Sequence, residues 1–397
     1  MLIHKSINMF ISFNNYNHNY YLMYVLLLLS VAIYGCKDES RNERTKYIYE
    51  YDLNFPLEKV VIDNKLSSIN GFTQISMDTI NERLFICDTE GNRLLLYDLE
   101  GNYLETWGEN KLSEDTIGNP LSVAFGYDRI AIGGDAFHII FTDFQGNVIK
   151  QLIYNDIKEN IVNVSLVWYD RYNNLWIGVN TIGRDRYLRF RFLKYVDYKN
   201  KLAEIDLTLI NPIGKLNPGI TTTNHFLSPV YVAIGKRGVF IKDSYDYKIY
   251  FIDYISMNVE TIIDRKAKRI KVLEHEYSEL KNKAKKKGYN LAYFDEYPAL
   301  KKIFIDEEEY IWVTSYKDYI ESKSNNEYKV YVYDQSGTLI GSGMTNLVST
   351  RNTSPLFYND KIYSLAEDGV GGIKLNIFQN NLPLHYRIKN IQIPNYN

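Results

Sequence analysis

Apolar residues in this chain come in short bursts, each closed by Asp, Asn or Gly, and the bursts recur. The clearest unit runs from Gly71 to Gly108, where ISM, LFICD, RLLLYD and LETW alternate with turn residues. Short apolar runs bounded by turn formers read as strands, so this unit predicts four β-strands joined by tight turns. Its second burst has counterparts at Asp128-Arg129-Ile130-Ala131-Ile132, Asn174-Leu175-Trp176-Ile177, Gly238-Val239-Phe240-Ile241, Tyr310-Ile311-Trp312-Val313 and Lys361-Ile362-Tyr363-Ser364. The third burst ends on an aspartate that also recurs, at Asp98, Asp143, Asp197, Asp253 and Asp334, with spacings of 45, 54, 56 and 81 residues. A four-stranded propeller blade takes about 40–50 residues. Six second-strand signatures therefore predict an all-β chain folded as a six-bladed β-propeller.

Such rings close by pairing strands from the two ends of the chain, which removes free sheet edges. Tyr47 to Ile62 is the segment expected to complete the last blade, around Leu356 to Ile393. The widest spacing holds one segment with a different period. Between Asp264 and Gly288, apolar residues fall at Ile270, Leu273, Tyr277, Leu280 and Ala284, which predicts an amphipathic helix inserted over 264–288. Asp264 is its expected N-cap and Gly288 its expected stop. Ten basic residues from Arg265 to Lys287 face only Glu274, Glu276 and Glu279 there, so the insertion is locally basic. A solvated face lying on the propeller flank is expected, with partner docking or contact with anionic lipid as the sharper alternative.

Composition narrows the class. The chain has 397 residues and a formal net charge of −2, with 45% hydrophobic and 24% charged residues. These values exclude a disordered chain and a multi-span membrane protein. Without excess positive charge, nucleic-acid binding is not expected. Thirty-six tyrosines suit a chain that is mostly strand, and 2 cysteines cannot build a disulfide scaffold.

The first cysteine carries an address. Leu22 to Ile33 is uncharged, too short to span a bilayer but the right length for the core of a signal peptide. It ends at Ile33-Tyr34-Gly35-Cys36, which resembles the lipobox of bacterial lipoproteins. The resemblance implies a signal peptide over 1–35, lipidation of Cys36, a tether over 36–46 and the propeller over 47–397. Lys37-Asp38-Glu39 resembles the lysine-plus-two-acids signal of outer-membrane lipoproteins in Gram-negative bacteria, implying a surface-exposed or periplasmic location. The membrane is then a partner through Cys36.

The search for chemistry returns little. No histidine has metal-ligand spacing, and no calcium loop of the Asp-x-Asp-x-Asp-Gly kind is present. Gly341-Ser342-Gly343 reads as a flexible turn, Asp306 to Glu309 as an exposed hairpin turn, and Cys87 as a buried inert thiol. No catalytic residue is assigned. Because loops carry function on such scaffolds, the residues that follow each second strand are the candidates. They are Asp88, Asp135, Asn180, Asp243, Ser315 and Glu367, with Arg93, His138, Arg184, Tyr245 and Tyr316 nearby.

The segment Asp78 to Ile86 and the run Asp88 to Arg93 resemble an NHL-type blade. The plainer role for Asp88 and Asp243, which that resemblance implies, is to bond backbone amides of the turn. Over the mature chain the sequence resembles NHL-like, TolB-like propeller lipoproteins of bacteria. The resemblance implies the fold more than an activity; the tether, the ring architecture and the absence of a catalytic constellation point to a binding or scaffold module for an envelope protein, peptide or glycan, expected to be a monomer with no cofactor. The alternative is a metal-dependent hydrolase or lyase that uses a ring of carboxylates at the channel; calcium is the metal such a ring could hold.

Overall fold

The computed structural model describes residues 48–69, 74–108, 119–134, 138–153, 160–182, 188–196, 200–207, 232–243, 246–267, 270–286, 296–297, 299–322, 327–347, 353–380 and 388–392. After β1 (Ile48–Leu53) and β2 (Leu57–Val61), the strands group in fours. Blade one is β3 (Ile75–Asp78), β4 (Arg83–Asp88), β5 (Arg93–Asp98) and β6 (Tyr103–Trp107). Blade two is β7 (Pro120–Phe125), β8 (Ile130–Gly134), β9 (His138–Thr142) and β10 (Val148–Ile153). Blade three is β11 (Asn160–Tyr169), β12 (Leu175–Ile182), β13 (Leu188–Val196) and β14 (Asn200–Leu207). Blade four is β15 (Val232–Ile234), β16 (Gly238–Lys242), β17 (Tyr247–Asp253) and β18 (Val259–Arg265). Blade five is β19 (Leu300–Ile305), β20 (Ile311–Ser315), β21 (Tyr328–Tyr333) and β22 (Leu339–Thr345). Blade six takes β23 (Leu356–Tyr358), β24 (Lys361–Glu367) and β25 (Ile373–Gln379) from the end of the chain, and its outer strand is β2. The fold is the six-bladed propeller the repeat predicts.

The ring is held by apolar side chains shared between neighbouring blades. Trp107 and Phe85 of blade one pack with Val123 and Ile132 of blade two. Trp176 and Phe192 of blade three join Phe141 of blade two and Val239 of blade four. Ile249 of blade four meets Ile303 of blade five, and Trp312 of blade five meets Phe378 of blade six. Leu375 of blade six and Leu84 of blade one close the circle, where β23 also touches β3. Removing this much apolar area from water, at about 25 cal/mol per Å², is the main force favouring the ring.

Strand β2 supplies the closure, pairing antiparallel with β25 from Leu57↔Phe378 to Val61↔Leu375. Only the second half of the Tyr47–Ile62 segment does this. The first half, β1, lies parallel to β22 from Tyr49↔Gly341 to Leu53↔Thr345 and so extends the blade-five sheet. There β26 (Ile388–Gln392) follows it, so the end of the segment expected in blade six joins blade five instead. The chain crosses between the two blades at Phe55, whose N–H and C=O bond Asn346 Oδ1 (2.9 Å) and Nδ2 (2.8 Å). Gly341-Ser342-Gly343 is thus a strand rather than a flexible turn. A side chain at Gly343 would collide with the Tyr51 carbonyl, so the glycine is what lets β1 approach.

Some further expectations change, while that for Cys87 holds. The inserted helix α2 occupies Glu274–Lys286, and the expected N-cap Asp264 lies in β18. A short α1 (Asn64–Ser67), capped by Asp63, links β2 to blade one, and α3 (Tyr316–Ser322) interrupts blade five between β20 and β21. In the acidic run, Glu307 and Glu308 are exposed, but Glu309 is buried and accepts the Lys236 N–H. Cys87 is a free, fully buried thiol whose pKa is pushed up by burial, with Asp88 adding to the rise.

Gly343→Ala is expected to cost ~1–3 kcal/mol in urea unfolding, through overpacking against β1. Asn346→Ala is expected to cost about as much by orphaning the Phe55 groups. The double variant should cost less than the sum, since both release one strand.

Candidate functional site

In each four-stranded antiparallel blade, the turn between the second and third strands lies at the same end as the connection to the next blade. That end holds the candidate residues, and the structure gives most of them structural work. Asp88 ends β4; it accepts the Gly91 N–H (3.1 Å) and the Arg93 Nε–H (2.8 Å). Arg93 in turn donates to the Ser68 hydroxyl at the end of α1. Asp243 accepts the Asp246 N–H (2.8 Å) and a long bond from the Tyr250 hydroxyl (3.4 Å). Both aspartates therefore fix turns, as the plainer reading expects.

The remaining candidates scatter. His138 opens β9, half-buried, with its Nε2 buried and without a hydrogen-bond partner. Asn180 sits inside β12 rather than after it, because that strand runs on to Ile182. Glu367 is exposed at the end of β24. Asp135, Arg184, Tyr245 and Cys36 lie outside the described residues. Among the described members of this set, a hydrogen bond joins Asp88 to Arg93.

Tyr316 leads to the site. Ser315 caps α3: its hydroxyl accepts the Asp318 N–H (3.0 Å) and bonds the Asp318 carboxylate, a capping pair that starts a helix directly from the end of β20. This places Tyr316 parallel to Tyr297, with ring centroids 5.2 Å apart, and sets Tyr319 against Tyr328 at 5.1 Å. The Lys301 ammonium lies 4.8 Å from the Tyr316 ring centroid and 4.7 Å from that of Tyr319. Val272 and Tyr297, which flank α2 in sequence, pack on Tyr316, so the insertion is rooted here.

Beside these rings a small open cleft of about 20 Å³, room for about one water, lies between Lys301, Lys302, Tyr319, Thr314, Thr345 and Pro355. Two lysines beside it are buried. Lys302 Nζ donates to the Thr353 carbonyl (3.1 Å), and Lys242 Nζ donates to the Leu300 carbonyl (3.1 Å). Burial, aided by the Lys301 charge and opposed by Asp243, lowers Lys242 to about 7. Burial, aided by Lys301, holds Lys302 well below the ordinary lysine value. Buried ammonium groups are costly, and perturbed groups beside a cleft are a recurrent mark of function.

The sequence carried signals for this cleft. Lys242 breaks an otherwise apolar second strand, Lys301-Lys302 opens a first strand, and Ser315-x-x-Asp318 is a helix start. The described residues hold no group of three His, Cys, Asp or Glu side chains able to share a metal ion.

Because the folded-state value of Lys242 lies below 10.5, the folded protein binds fewer protons than the unfolded chain between pH 7 and 10.5. Stability from this group therefore rises with pH across that window. Lys242→Met should melt at or above the wild type at pH 7 and lose that advantage towards pH 10, an effect on the order of 3 kcal/mol. Thermal melts across pH 6–10 check it.

No protein-family model matches the chain, and no curated protein matches it. Among solved structures, it is similar to a gluconolactonase from Xanthomonas campestris at 8% identity and a TM-score of 0.45, covering 84% of this chain and 97% of that one. It is similar to a virginiamycin B lyase from Staphylococcus aureus at 10% identity and a TM-score of 0.44, covering 81% and 98%. It is also similar to a calcium-binding regucalcin from Agrobacterium tumefaciens at 13% identity and a TM-score of 0.46, covering 84% and 98%. Likeness at this level carries no argument about activity.

Proposed function

We propose that this chain is a binding module, an NHL- or TolB-like propeller lipoprotein that holds a protein, peptide or glycan at the cell envelope. The observation that carries the reading is the blade-five cleft. Blade repetition alone needs neither a helix between β20 and β21 nor lysines at the rim of the core. Three separate departures from the repeat meet there: the insertion rooted on Tyr316, the helix α3, and the connection after Thr345. Nothing among the described residues favours the metal-dependent alternative, since Asp88 and Asp243 accept from their own turns.

Two experiments test the proposal. The full chain, purified in detergent, is screened against arrays of glycans and of envelope-derived peptides. A retained ligand should bind at least tenfold more weakly to Tyr319→Ala, while Tyr127→Ala in blade two leaves binding unchanged. Equal loss in both variants, or no retained ligand, would sink the reading. The anchoring at the outer membrane of a Gram-negative cell rests on the Cys36 lipobox. Cys36→Ser should abolish incorporation of a labelled fatty acid and release the chain from the membrane fraction; unchanged labelling would rule the anchor out.

A further inference from the structure

We infer, resting on the reading that Cys36 is lipidated, that one end of the propeller faces the bilayer and that its blade-two to blade-four turns dip into the lipid headgroups. This is the end formed by the first-to-second-strand and third-to-fourth-strand turns. The place where the chain enters the ring sets the orientation. Because β1 runs parallel to β22, from Tyr49↔Gly341 to Leu53↔Thr345, Tyr49 lies by the start of β22, just past the turn headed by Asp334. Tyr49 is therefore at the end opposite the residues that follow each second strand. It comes 13 residues after Cys36, which even fully extended reach about 45 Å. A tether of that length holds the entry point, and the end of the ring around it, within that distance of the membrane.

That end carries exposed apolar and aromatic turn tips. Tyr127 in the β7–β8 turn is 71% exposed, Ile255 in the β17–β18 turn 66% and Tyr172 in the β11–β12 turn 48%. Their turns are tied together. The Tyr127 N–H donates to Asn173 Oδ1 (3.0 Å) and its hydroxyl to the Arg171 carbonyl (3.2 Å), which joins blades two and three. The Arg171 guanidinium lies 4.8 Å from the Tyr172 ring centroid and donates to its hydroxyl. Lys194 Nζ pairs with Asp170 (3.6 Å) and donates to the Tyr254 carbonyl (2.7 Å), linking the turn of Tyr172 to that of Ile255. A single exposed apolar side chain is ordinary, but three on linked turns of three successive blades form an arc. Tyrosine suits the membrane interface, with its ring at the acyl boundary and its hydroxyl among the headgroups. Lys236 and Arg237, exposed in the β15–β16 turn of the same arc, bring long cationic side chains to the level of lipid phosphates. The matching turns of blades five and six present Glu307, Glu308 and Asp360, so lipid contact falls on blades two to four.

The test uses the full chain in vesicles of phosphatidylethanolamine and phosphatidylglycerol whose acyl chains carry a nitroxide near the headgroup. Tyr172→Cys, Ile255→Cys and Val370→Cys are each labelled with an environment-sensitive dye; Val370 is a 90% exposed tip on the β24–β25 turn, at the other end. Cys87 is buried and an acylated Cys36 has no thiol, so neither takes the dye. Dye at 172 and at 255 should be quenched roughly threefold or more relative to dye at 370, and Ile255→Cys reads the face even where Tyr172→Cys loosens its own turn. Equal quenching at all three sites, stronger quenching at 370, or no quenching at 172 and 255 would overturn the inference. Where the chain is acylated and vesicle-bound, any of these results removes the facing and leaves the anchor standing. A chain without an acyl group at Cys36 removes the anchor and this inference together.

Discussion

The structure depends on one local interaction, the aspartate that heads a five-residue hairpin turn. In this turn the carboxylate accepts the N–H groups two and four residues on, and the residue three on takes the left-handed conformation. Asp98 accepts from Glu100 (3.0 Å) and Asn102 (2.7 Å), with Gly101 at φ +77. The same arrangement recurs at Asp143, Asp170, Asp306, Asp334 and Asp368. Each turn joins two strands so that they leave in register, which is the condition for a blade. In two blades the carboxylate also anchors the core: Asp170 and Asp306 accept the indole N–H of Trp176 (2.9 Å) and Trp312 (2.8 Å). Burial lifts Asp306 to about 6, against the pull of that indole and of backbone N–H groups. Gly337 shows how tight the turn is against the next blade, since a side chain there would strike the Ile262 carbonyl.

The ring is closed asymmetrically, and the asymmetry falls on blade five. The N-terminal chain first extends that blade with β1, crosses at Phe55 and then completes blade six with β2. Phe55 packs near Trp312, with ring centroids 6.2 Å apart, so the crossing also covers the core between the two blades. At the other end of the same blade, α3 and the base of the α2 insertion gather around Tyr316. A blade extended past its fourth strand by β1 and β26 is a firm base on which to build an irregular, partly charged site.

The fold was legible because its signals are local and repeated. Turn aspartates and apolar second strands reveal themselves at close sequence distance, and all six second strands were found. The closure was only half legible: β1 and β2 have similar composition, and nothing local distinguishes a parallel edge strand from an antiparallel one. Gly341-Ser342-Gly343 misled for the same reason, since glycine marks both turns and close backbone approaches. The site was the least legible part. A search by turn position found Tyr316 but picked Asp88 and Asp243, whose oxygens serve the backbone. Lys242, Lys301 and Lys302 come together only through the adjacency of blades four and five, which is a property of the ring. Their lowered basicity comes from burial, and composition cannot show burial.

The central claim is that acidic residues in this propeller build turns, while ligand recognition belongs to the lysine- and tyrosine-lined cleft of blade five. Hydrogen exchange read by mass spectrometry, with and without a bound ligand, tests that division directly. The account predicts slowed exchange over 299–305, 314–321 and 345–347, with 88–93 and 243–247 unchanged. Protection confined to 88–93 and 243–247, with the blade-five segments unmoved, would contradict it.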